Sequence, residues 1–167
     1  MENSLVHEIE LYPPETFNTL LDHEVHRSRR SGEPLTLIHL AVETDTSGER
    51  AQHGAEIFAI NALNVYLRET DIPSKRGNEF LALMPATDEK GGLIVCDRLA
   101  KIFHTEAQIY DKVSFKLFIF MGMATLPGDR SLTGKKLLEN AAQALQHARE
   151  NRSTHTVLFS EMIKRKE

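Results

Sequence analysis

The sequence predicts an α+β domain with a ferredoxin-like βαββαβ core, in which a mostly antiparallel central sheet of about five strands is flanked by helices. Hydrophobic periodicity gives the order helix, strand, helix, strand–turn–strand, helix, strand, helix, strand. Within the strand–turn–strand unit, residues 80–85 are apolar on both faces, as in a central strand. The chain has 167 residues, of which 41% are hydrophobic, so it fits one domain with a substantial core.

The first half of the chain supplies two helices and one strand. Pro14 followed by Glu15 suits a helical first turn, and apolar residues at helical spacing continue the helix to about Arg30. Residues 35–42 are apolar enough to form a strand in the middle of a sheet. The polar, glycine-containing segment 43–52 predicts a loop, and Ala55–Leu67 predicts the second helix.

The second half begins with a predicted hairpin whose turn is Lys75–Asn78, since Gly77 and Asn78 both tolerate positive φ. Apolar spacing then predicts a helix, a long strand, a turn, a helix and a short strand. Their predicted bounds are Asp88–Thr105, Val113–Ala124, Leu126–Asp129, Leu137–Arg149 and Thr156–Phe159. The predicted domain organisation is a lead-in over residues 1–14, one domain over 15–160 and a basic tail over 161–167.

Composition excludes several function classes. Twenty basic against 24 acidic side chains give a net charge of −4, which argues against a general nucleic-acid binder. The single cysteine allows no disulfide within the chain and fits a reducing cytoplasm. No apolar stretch approaches the ~20 residues that span a bilayer, so direct membrane insertion is not expected. His23 and His26 lie one turn apart without a third ligand, so no metal site is predicted.

Five segments, in this order along the chain, resemble a GGDEF domain, the fold of diguanylate cyclases. Residues 34–40 resemble the family's first strand, and Arg76-Gly-Asn-Glu-Phe80 stands where the family has Gly-Gly-Asp/Glu-Glu-Phe. The apolar run 80–85 resembles the strand after that motif. Phe120-Met-Gly-Met-Ala124 and Ala141–Arg149 resemble a later strand and the last helix of the family. The resemblance extends over about residues 17–159.

Departures from the family pattern bear on activity. The resemblance implies that two carboxylates hold a divalent metal, but Ala41 and Asn78 stand at those positions. Mg²⁺ prefers anionic oxygen ligands, which neither residue supplies. Arg76 stands where the family has the first glycine of the signature, and its bulk should obstruct a substrate. The signature Arg76, Gly77, Asn78, Glu79 and Phe80 is therefore degenerate, and no catalytic residue is predicted. Arg149 replaces the family's phosphate-contacting lysine and could still touch a phosphate.

One part of the pattern is retained. Arg68-Glu-Thr-Asp71 is an Arg-x-x-Asp just before the signature, where the family has an inhibitory site that binds cyclic di-GMP. Arg98 stands where the family adds a further arginine. A guanidinium can pair bidentately with phosphate or with a guanine edge. The alternative interpretation is a local salt bridge between Arg68 and Asp71 at a helix end, without any ligand.

The leading hypothesis is a catalytically inactive GGDEF-like domain that receives cyclic di-GMP through Arg68, Asp71 and Arg98, without a cofactor. A second hypothesis is a protein-interaction module that has a protein partner or forms a homodimer. A third is a residual cyclase that joins two GTP molecules with Mg²⁺ on Glu43 and Glu79. A fourth is GTP binding without turnover.

Overall fold

The fold consists of five helices and seven strands within residues 11–104, 107–126 and 132–166, the parts of the chain that this computed structural model describes. The helices are α1 (Pro14–Ser31), α2 (Glu49–Tyr66), α3 (Glu89–Phe103), α4 (Gly134–Glu150) and α5 (Phe159–Lys164). The strands are β1 (Leu35–Thr44), β2 (Ile72–Arg76), β3 (Glu79–Pro85), β4 (Gln108–Tyr110), β5 (Val113–Phe115), β6 (Leu117–Leu126) and β7 (Val157–Leu158). In these described parts, no helix has the length and apolar character needed to cross a membrane.

Five strands form the main sheet in the order β2-β3-β1-β6-β7. The central strand β1 is antiparallel to both β3 and β6, and its ten residues from Leu35 to Thr44 all pair with β6. The short pair between β6 and β7 is parallel, and an isolated parallel bridge joins Tyr12 to Ser74 of β2. The predicted fold class, a mostly antiparallel five-stranded sheet flanked by helices, is confirmed.

Alternation along the strands builds a hydrophobic layer on each face of the sheet. Ile38 and Leu40 of β1 lie in the layer shared with α2 and α3, whereas Leu35 and Leu37 lie in the layer shared with α1 and α4. The run 80–85 of β3 is buried throughout, as expected for a strand covered on both faces. Each end of the sheet therefore presents its loops to solvent from a rigid, two-sided core.

Helix ends follow their sequence signals. Gly32 ends α1 in the left-handed region at φ 75°, and its amide donates to the carbonyl of Ser28 at 2.8 Å. Asp88 caps α3 by accepting from the amide of Gly91 at 2.7 Å. Thr133 caps α4 in the same way, through the amide of Lys136. These caps set where α3 and α4 begin beside the sheet.

The predicted loop over residues 43–52 is wrong at both ends. β1 continues to Thr44, and α2 begins at Glu49, six residues before the predicted start at Ala55. Polarity misled the prediction, because polar residues of the first turns of α2 line a cavity and only small residues such as Ala51 and Ala55 are buried there. The prediction for α4 is wrong in the same direction, since that helix begins at Gly134 instead of Leu137.

The predicted long strand Val113–Ala124 is two strands. β5 ends at Phe115 and β6 begins at Leu117, while β5 pairs with the unpredicted strand β4 in a separate hairpin. The turn of that hairpin is Asp111-Lys112, with φ of 47° and 65°. Positive φ at both positions suits a tight hairpin, but the sequence lacks the glycine that usually signals it.

The C-terminal segment differs from the prediction in two ways. The last strand is shorter than predicted, Val157–Leu158, and Phe159 begins the unpredicted helix α5. A helix of six residues gives too little periodicity to be detected in the sequence. The predicted turn over 126–129 and the predicted end of α3 at Thr105 lie largely outside the described residues.

Candidate functional site

Three of the predicted site residues line one cavity, here called the arginine cavity. It has a volume of about 420 Å³ and lies where the end of α2, the end of β3 and the first half of α3 meet. Its lining includes the predicted ligand-binding residues Arg68, Asp71 and Arg98. Tyr66, Met84, Ile94 and Val95 give it an apolar wall.

Arg68 is held by partners on two segments. Its amide donates to Oδ2 of Asp71 at 2.8 Å, and its Nη2 lies 3.1 Å from Oδ1 of the same carboxylate. Nη2 also donates to the carbonyl of Pro85 and to Oγ1 of Thr87. The side chain of Asp71 is 1% exposed, whereas that of Arg68 is 57% exposed. Asp71 thus anchors and orients a guanidinium that remains open to solvent.

Arg98 contributes the second guanidinium of the cavity. It lies on the exposed side of α3, one to two turns after Gly91 and Ile94 on the same helix face. Among the described residues, it has no hydrogen bond or ion pair. The charged side chains of the lining are Arg68 and Arg98 against Asp71 and Asp88, so their formal charges balance while the guanidinium of Arg98 stays unpaired.

The hairpin turn lies beside a different cavity, here called the hairpin cavity. Arg76 pairs with Glu79, so the turn is the dipeptide Gly77-Asn78, with Gly77 at φ 60°. The cavity has a volume of about 350 Å³, and Gly77 and Asn78 line it together with polar residues from the start of α2. Lys75 and Glu56 also line this cavity, and Nζ of Lys75 lies 2.8 Å from Oε1 of Glu56.

The side chain of Arg76 turns away from the hairpin cavity. Its guanidinium lies 5.6 Å from the ring centroid of Phe17 and donates to Oδ1 of Asn18, both on α1. Arg76 is not among the residues that line the cavity of Gly77 and Asn78. The obstruction expected from this substitution is therefore not seen in the arrangement of the side chain.

Glu43, Glu79, Arg149, Arg152 and His39 form a cluster on the other face of the sheet, here called the ion network. Nη1 of Arg152 donates to Oε2 of Glu43 at 2.8 Å, and Nη2 of Arg149 lies 3.4 Å from Oε1. Nη1 of Arg149 is also 4.0 Å from Oε2 of Glu79. The predicted phosphate-contacting residue Arg149 thus contacts both of the carboxylates that were considered as replacement metal ligands.

His39 is the buried member of the ion network. Its Nε2 lies 3.4 Å from Oε2 of Glu79, and both ring nitrogens are buried without a hydrogen-bond partner among the described residues. Burial lowers the pKa of His39 below its ordinary value of 6.5; Glu79 opposes this, and Arg76 and Arg149 add to it. The folded protein therefore favours a neutral imidazole at this position.

His39 is expected to make the protein less stable in mild acid. Because the unfolded chain takes up the proton at higher pH than the folded chain, the free energy of unfolding falls as pH drops from 6.5 toward the lowered pKa. The loss amounts to about 1.4 kcal/mol for each unit by which the pKa is lowered. Urea midpoints measured against pH for wild type and His39→Gln check this, because the two proteins differ only at this side chain. Equal slopes in the two proteins would contradict it.

Similarity to known proteins is found in structure and not in sequence. No family model and no curated protein matches the sequence. The structure superposes on the GGDEF domain of YfiN (TpbB) from Pseudomonas aeruginosa with a TM-score of 0.79 and 18% identity, over 92% of this chain and 95% of that one. This chain has the GGDEF fold.

Two further structures show the same fold. One is the active GGEEF domain of a diguanylate cyclase from Vibrio cholerae, with a TM-score of 0.74 and 12% identity over 90% of this chain and 98% of that one. The other is the GGDEF domain of DgcB from Caulobacter crescentus in complex with c-di-GMP, with a TM-score of 0.73 and 14% identity over 89% of each chain. The resemblance inferred from five short segments is thereby confirmed at the level of the GGDEF fold.

The residues at the hairpin end do not fit the divalent cation that the resemblance implies. Ala41 lies directly opposite Glu79 in the β1–β3 register and offers no oxygen ligand from its side chain. Glu43 and Glu79, the carboxylates considered as replacement metal ligands, are already in contact with arginines. In the described parts of the chain, no three His, Cys, Asp or Glu side chains are grouped as metal ligands.

Several residues of these sites were not predicted. Glu49, Gln52, His53 and Glu56 line the hairpin cavity, and their i, i+3, i+4, i+7 spacing on α2 was the available signal. Thr87 and the apolar wall of the arginine cavity carry no local signal. The same is true of Arg152, which meets Glu43 from 109 positions away. Tertiary packing alone brings these groups together.

Proposed function

We propose that this chain is a catalytically inactive GGDEF-fold domain that acts as a receptor or regulatory module for cyclic di-GMP in bacterial cytoplasmic signalling. The observation that carries the proposal is the unpartnered guanidinium of Arg98 in the same cavity as the oriented guanidinium of Arg68. Two guanidiniums suit a ligand with two phosphates, because each can donate two parallel hydrogen bonds to phosphate oxygens. The DgcB domain, of the same fold, has been solved in complex with c-di-GMP.

The three predicted ligand-binding residues take different roles in this proposal. Arg68 and Arg98 contact the ligand, while Asp71 positions Arg68, since its carboxylate is buried and already engaged. The apolar wall formed by Tyr66 and Ile94 offers a surface on which a purine base can pack. The local salt bridge considered in the sequence is thus compatible with a ligand site.

Inactivity is proposed from the hairpin end. Phosphoryl transfer depends on a cation to offset the charge that develops on the phosphates. Asn78 and Ala41 lack the anionic oxygens that would hold one, and Arg149 pairs with Glu43 and Glu79, the two carboxylates considered as replacements. Incubation with GTP and Mg²⁺ or Mn²⁺ is expected to yield no cyclic di-GMP by chromatography. Product formation would overturn this part of the proposal.

Isothermal titration with cyclic di-GMP tests the receptor function. Wild type is expected to bind, and Arg98→Ala to bind roughly 10- to 100-fold more weakly, since a hydrogen bond to a charged group contributes about 1.5–3 kcal/mol. Lys101→Ala is a matched control, because it removes a charge from the last turn of α3 outside the cavity. GTP titrated in the same buffer separates a cyclic di-GMP receptor from a GTP binder. The absence of heat at high micromolar ligand, or equal binding by Arg98→Ala, would contradict the proposal.

A protein partner is the second candidate. The diguanylate cyclase SiaD from Pseudomonas aeruginosa, solved in complex with its activator SiaC, shares the fold with a TM-score of 0.74 and 21% identity. On this chain, Val65 and Ile94 are large apolar side chains that are 70% and 48% exposed on α2 and α3. A stable homodimer or hetero-complex whose formation ignores cyclic di-GMP, in sedimentation experiments, would favour this candidate.

A further inference from the structure

A third cavity, here called the C-terminal cavity, lies between the end of α4, residues 151–156, β7 and one side of α5. It has a volume of about 540 Å³. None of its lining residues belongs to the arginine cavity, the hairpin cavity or the ion network. Binding sites usually have volumes of about 300–1,000 Å³, so this cavity is large enough to hold a ligand.

Hydrogen bonds within the fold hold the walls of the C-terminal cavity. The amide of Ser153 donates to the carbonyl of Ala148 at 2.8 Å, and Oγ of Ser153 donates to the carbonyl of His155 at 2.9 Å. In α5, Oγ of Ser160 donates to Oε2 of Glu89 at 2.7 Å and ties this helix to the start of α3. The cavity is therefore formed by the fold itself and does not need a ligand to shape it.

β7 presents an open edge of the main sheet to this cavity. It is the last strand in the order β2-β3-β1-β6-β7, and among the described strands it pairs with β6 alone. Thr156, Val157 and Leu158 all line the cavity. Because consecutive side chains of a strand point to opposite faces, a cavity lined by three consecutive residues lies along the edge of the sheet. An open edge carries N–H and C=O groups that can pair with a further strand.

The rim of the cavity carries more positive than negative charge. Arg165 and Lys166 face a single carboxylate among the lining residues, that of Glu161. The amide of Arg165 donates to the carbonyl of Glu161 at 3.2 Å, so the helical path of α5 continues to Arg165 and keeps both side chains on one side. In the described parts of the chain, no ion pair involves any of these three residues. His147 and His155 add ring N–H groups that can donate to an anionic oxygen.

Apolar side chains complete the lining. Leu158 is buried, and Val157 and Met162 are half-buried. A strand added beside β7 would place alternate side chains on this apolar surface, and its polar side chains could reach the cationic rim. A small anion would use only the cations and would leave the open edge and the apolar surface without a partner. The three features together therefore match an extended peptide.

We propose that the C-terminal cavity binds an extended segment of a partner protein in which apolar and acidic residues alternate. The segment adds a sixth strand to the five-stranded sheet, beside β7. Its carboxylates pair with Arg165 and Lys166, and its apolar side chains pack on Val157 and Met162. This inference does not depend on cyclic di-GMP binding at the arginine cavity.

Titration of ¹⁵N-labelled protein with the peptide acetyl-Val-Glu-Val-Glu-Val-amide, followed by NMR, tests the proposal. At millimolar peptide, the amide resonances of residues 156–158 and 165 are expected to shift, and those of residues 68–71 at the arginine cavity are not. The Arg165→Ala/Lys166→Ala variant is expected to bind about 3- to 10-fold more weakly, because it loses two exposed ion pairs with the peptide. Both side chains are exposed, so this variant keeps the core intact. Lys164→Ala is a matched control on α5 outside the cavity and is expected to bind as wild type does.

Three further ligands separate strand addition from simple attraction between charges. The same peptide N-methylated at every backbone amide keeps its carboxylates but cannot donate main-chain hydrogen bonds, so it is expected not to bind. Acetyl-Val-Lys-Val-Lys-Val-amide is expected not to bind because its charges repel the rim, and sodium glutarate is expected to leave residues 156–158 unshifted. Binding of any of the three equal to that of the acidic peptide would overturn the proposal. So would equal binding by the double variant, or unshifted resonances of residues 156–158 in wild type at millimolar acidic peptide.

Discussion

Replacing Gly122 by alanine is expected to destabilise the protein by about 3 kcal/mol, and to lower its melting temperature by roughly 10 °C. A Cβ at Gly122 would lie 2.1 Å from the amide nitrogen of Leu145 and 2.6 Å from the carbonyl oxygen of Ala141. Both are backbone atoms of α4, so no side-chain rotation relieves the clash. The helix would have to move off β6 and open the layer that contains Leu137 and Ala141.

Gly77→Ala is the matched control for this experiment. Gly77 has φ 60° and no atom within 4 Å of the added Cβ, so the substitution carries conformational strain without a steric clash. The expected cost is about 1 kcal/mol. Thermal or urea unfolding of both variants separates the two effects. If Gly122→Ala were as stable as Gly77→Ala, the claim that α4 lies too close to β6 for a Cβ at position 122 would be contradicted.

Replacing Asp71 by asparagine is expected to cost about 2 kcal/mol and to weaken cyclic di-GMP binding. The carboxylate is buried and accepts from both the amide and the guanidinium of Arg68. Asparagine removes the charge and places a buried NH₂ group against donors, which leaves polar groups unsatisfied. Arg68 then loses its orientation toward the cavity. Urea unfolding and isothermal titration of the same variant measure the two effects.

Glu56→Gln is the control for this prediction. It weakens another ion pair, that between Lys75 and Glu56, but both side chains are 34% exposed. An exposed pair contributes less than about 1 kcal/mol, because water solvates both charges in its absence. Stability of Asp71→Asn equal to that of Glu56→Gln would contradict the anchoring role of Asp71.

The features of the fold that were predictable were those with a local signal. The apolar run 80–85 identified the buried strand β3, and Gly77 and Asn78 located its turn, although the predicted turn Lys75–Asn78 included two residues of β2. The hairpin of β4 and β5 was missed because Asp111 and Lys112 adopt positive φ without a glycine. The start of α2 was missed because its first turns are polar toward a cavity. The sequence pattern thus predicts elements whose apolar residues face the core. It fails where polar residues of a helix line a cavity or where a tight turn lacks glycine.

The candidate site shows a similar division. Arg68 and Asp71 are close in sequence, so their pairing could be foreseen. The resemblance also indicated Arg98. The burial of the Asp71 side chain could not be predicted from the sequence. It is this burial that distinguishes a residue that positions Arg68 from one that contacts a ligand. The ion network joins residues more than 100 positions apart, and no sequence pattern reports such contacts.

Hydrogen–deuterium exchange with and without cyclic di-GMP tests the central claim most directly, because it locates the ligand on the chain. The account predicts slower exchange in residues 66–71 and 87–98, which surround the arginine cavity. Residues 49–56 and 75–80, around the hairpin cavity, should exchange at unchanged rates. Protection confined to the hairpin cavity, or no protection in either region at saturating ligand, would contradict the account.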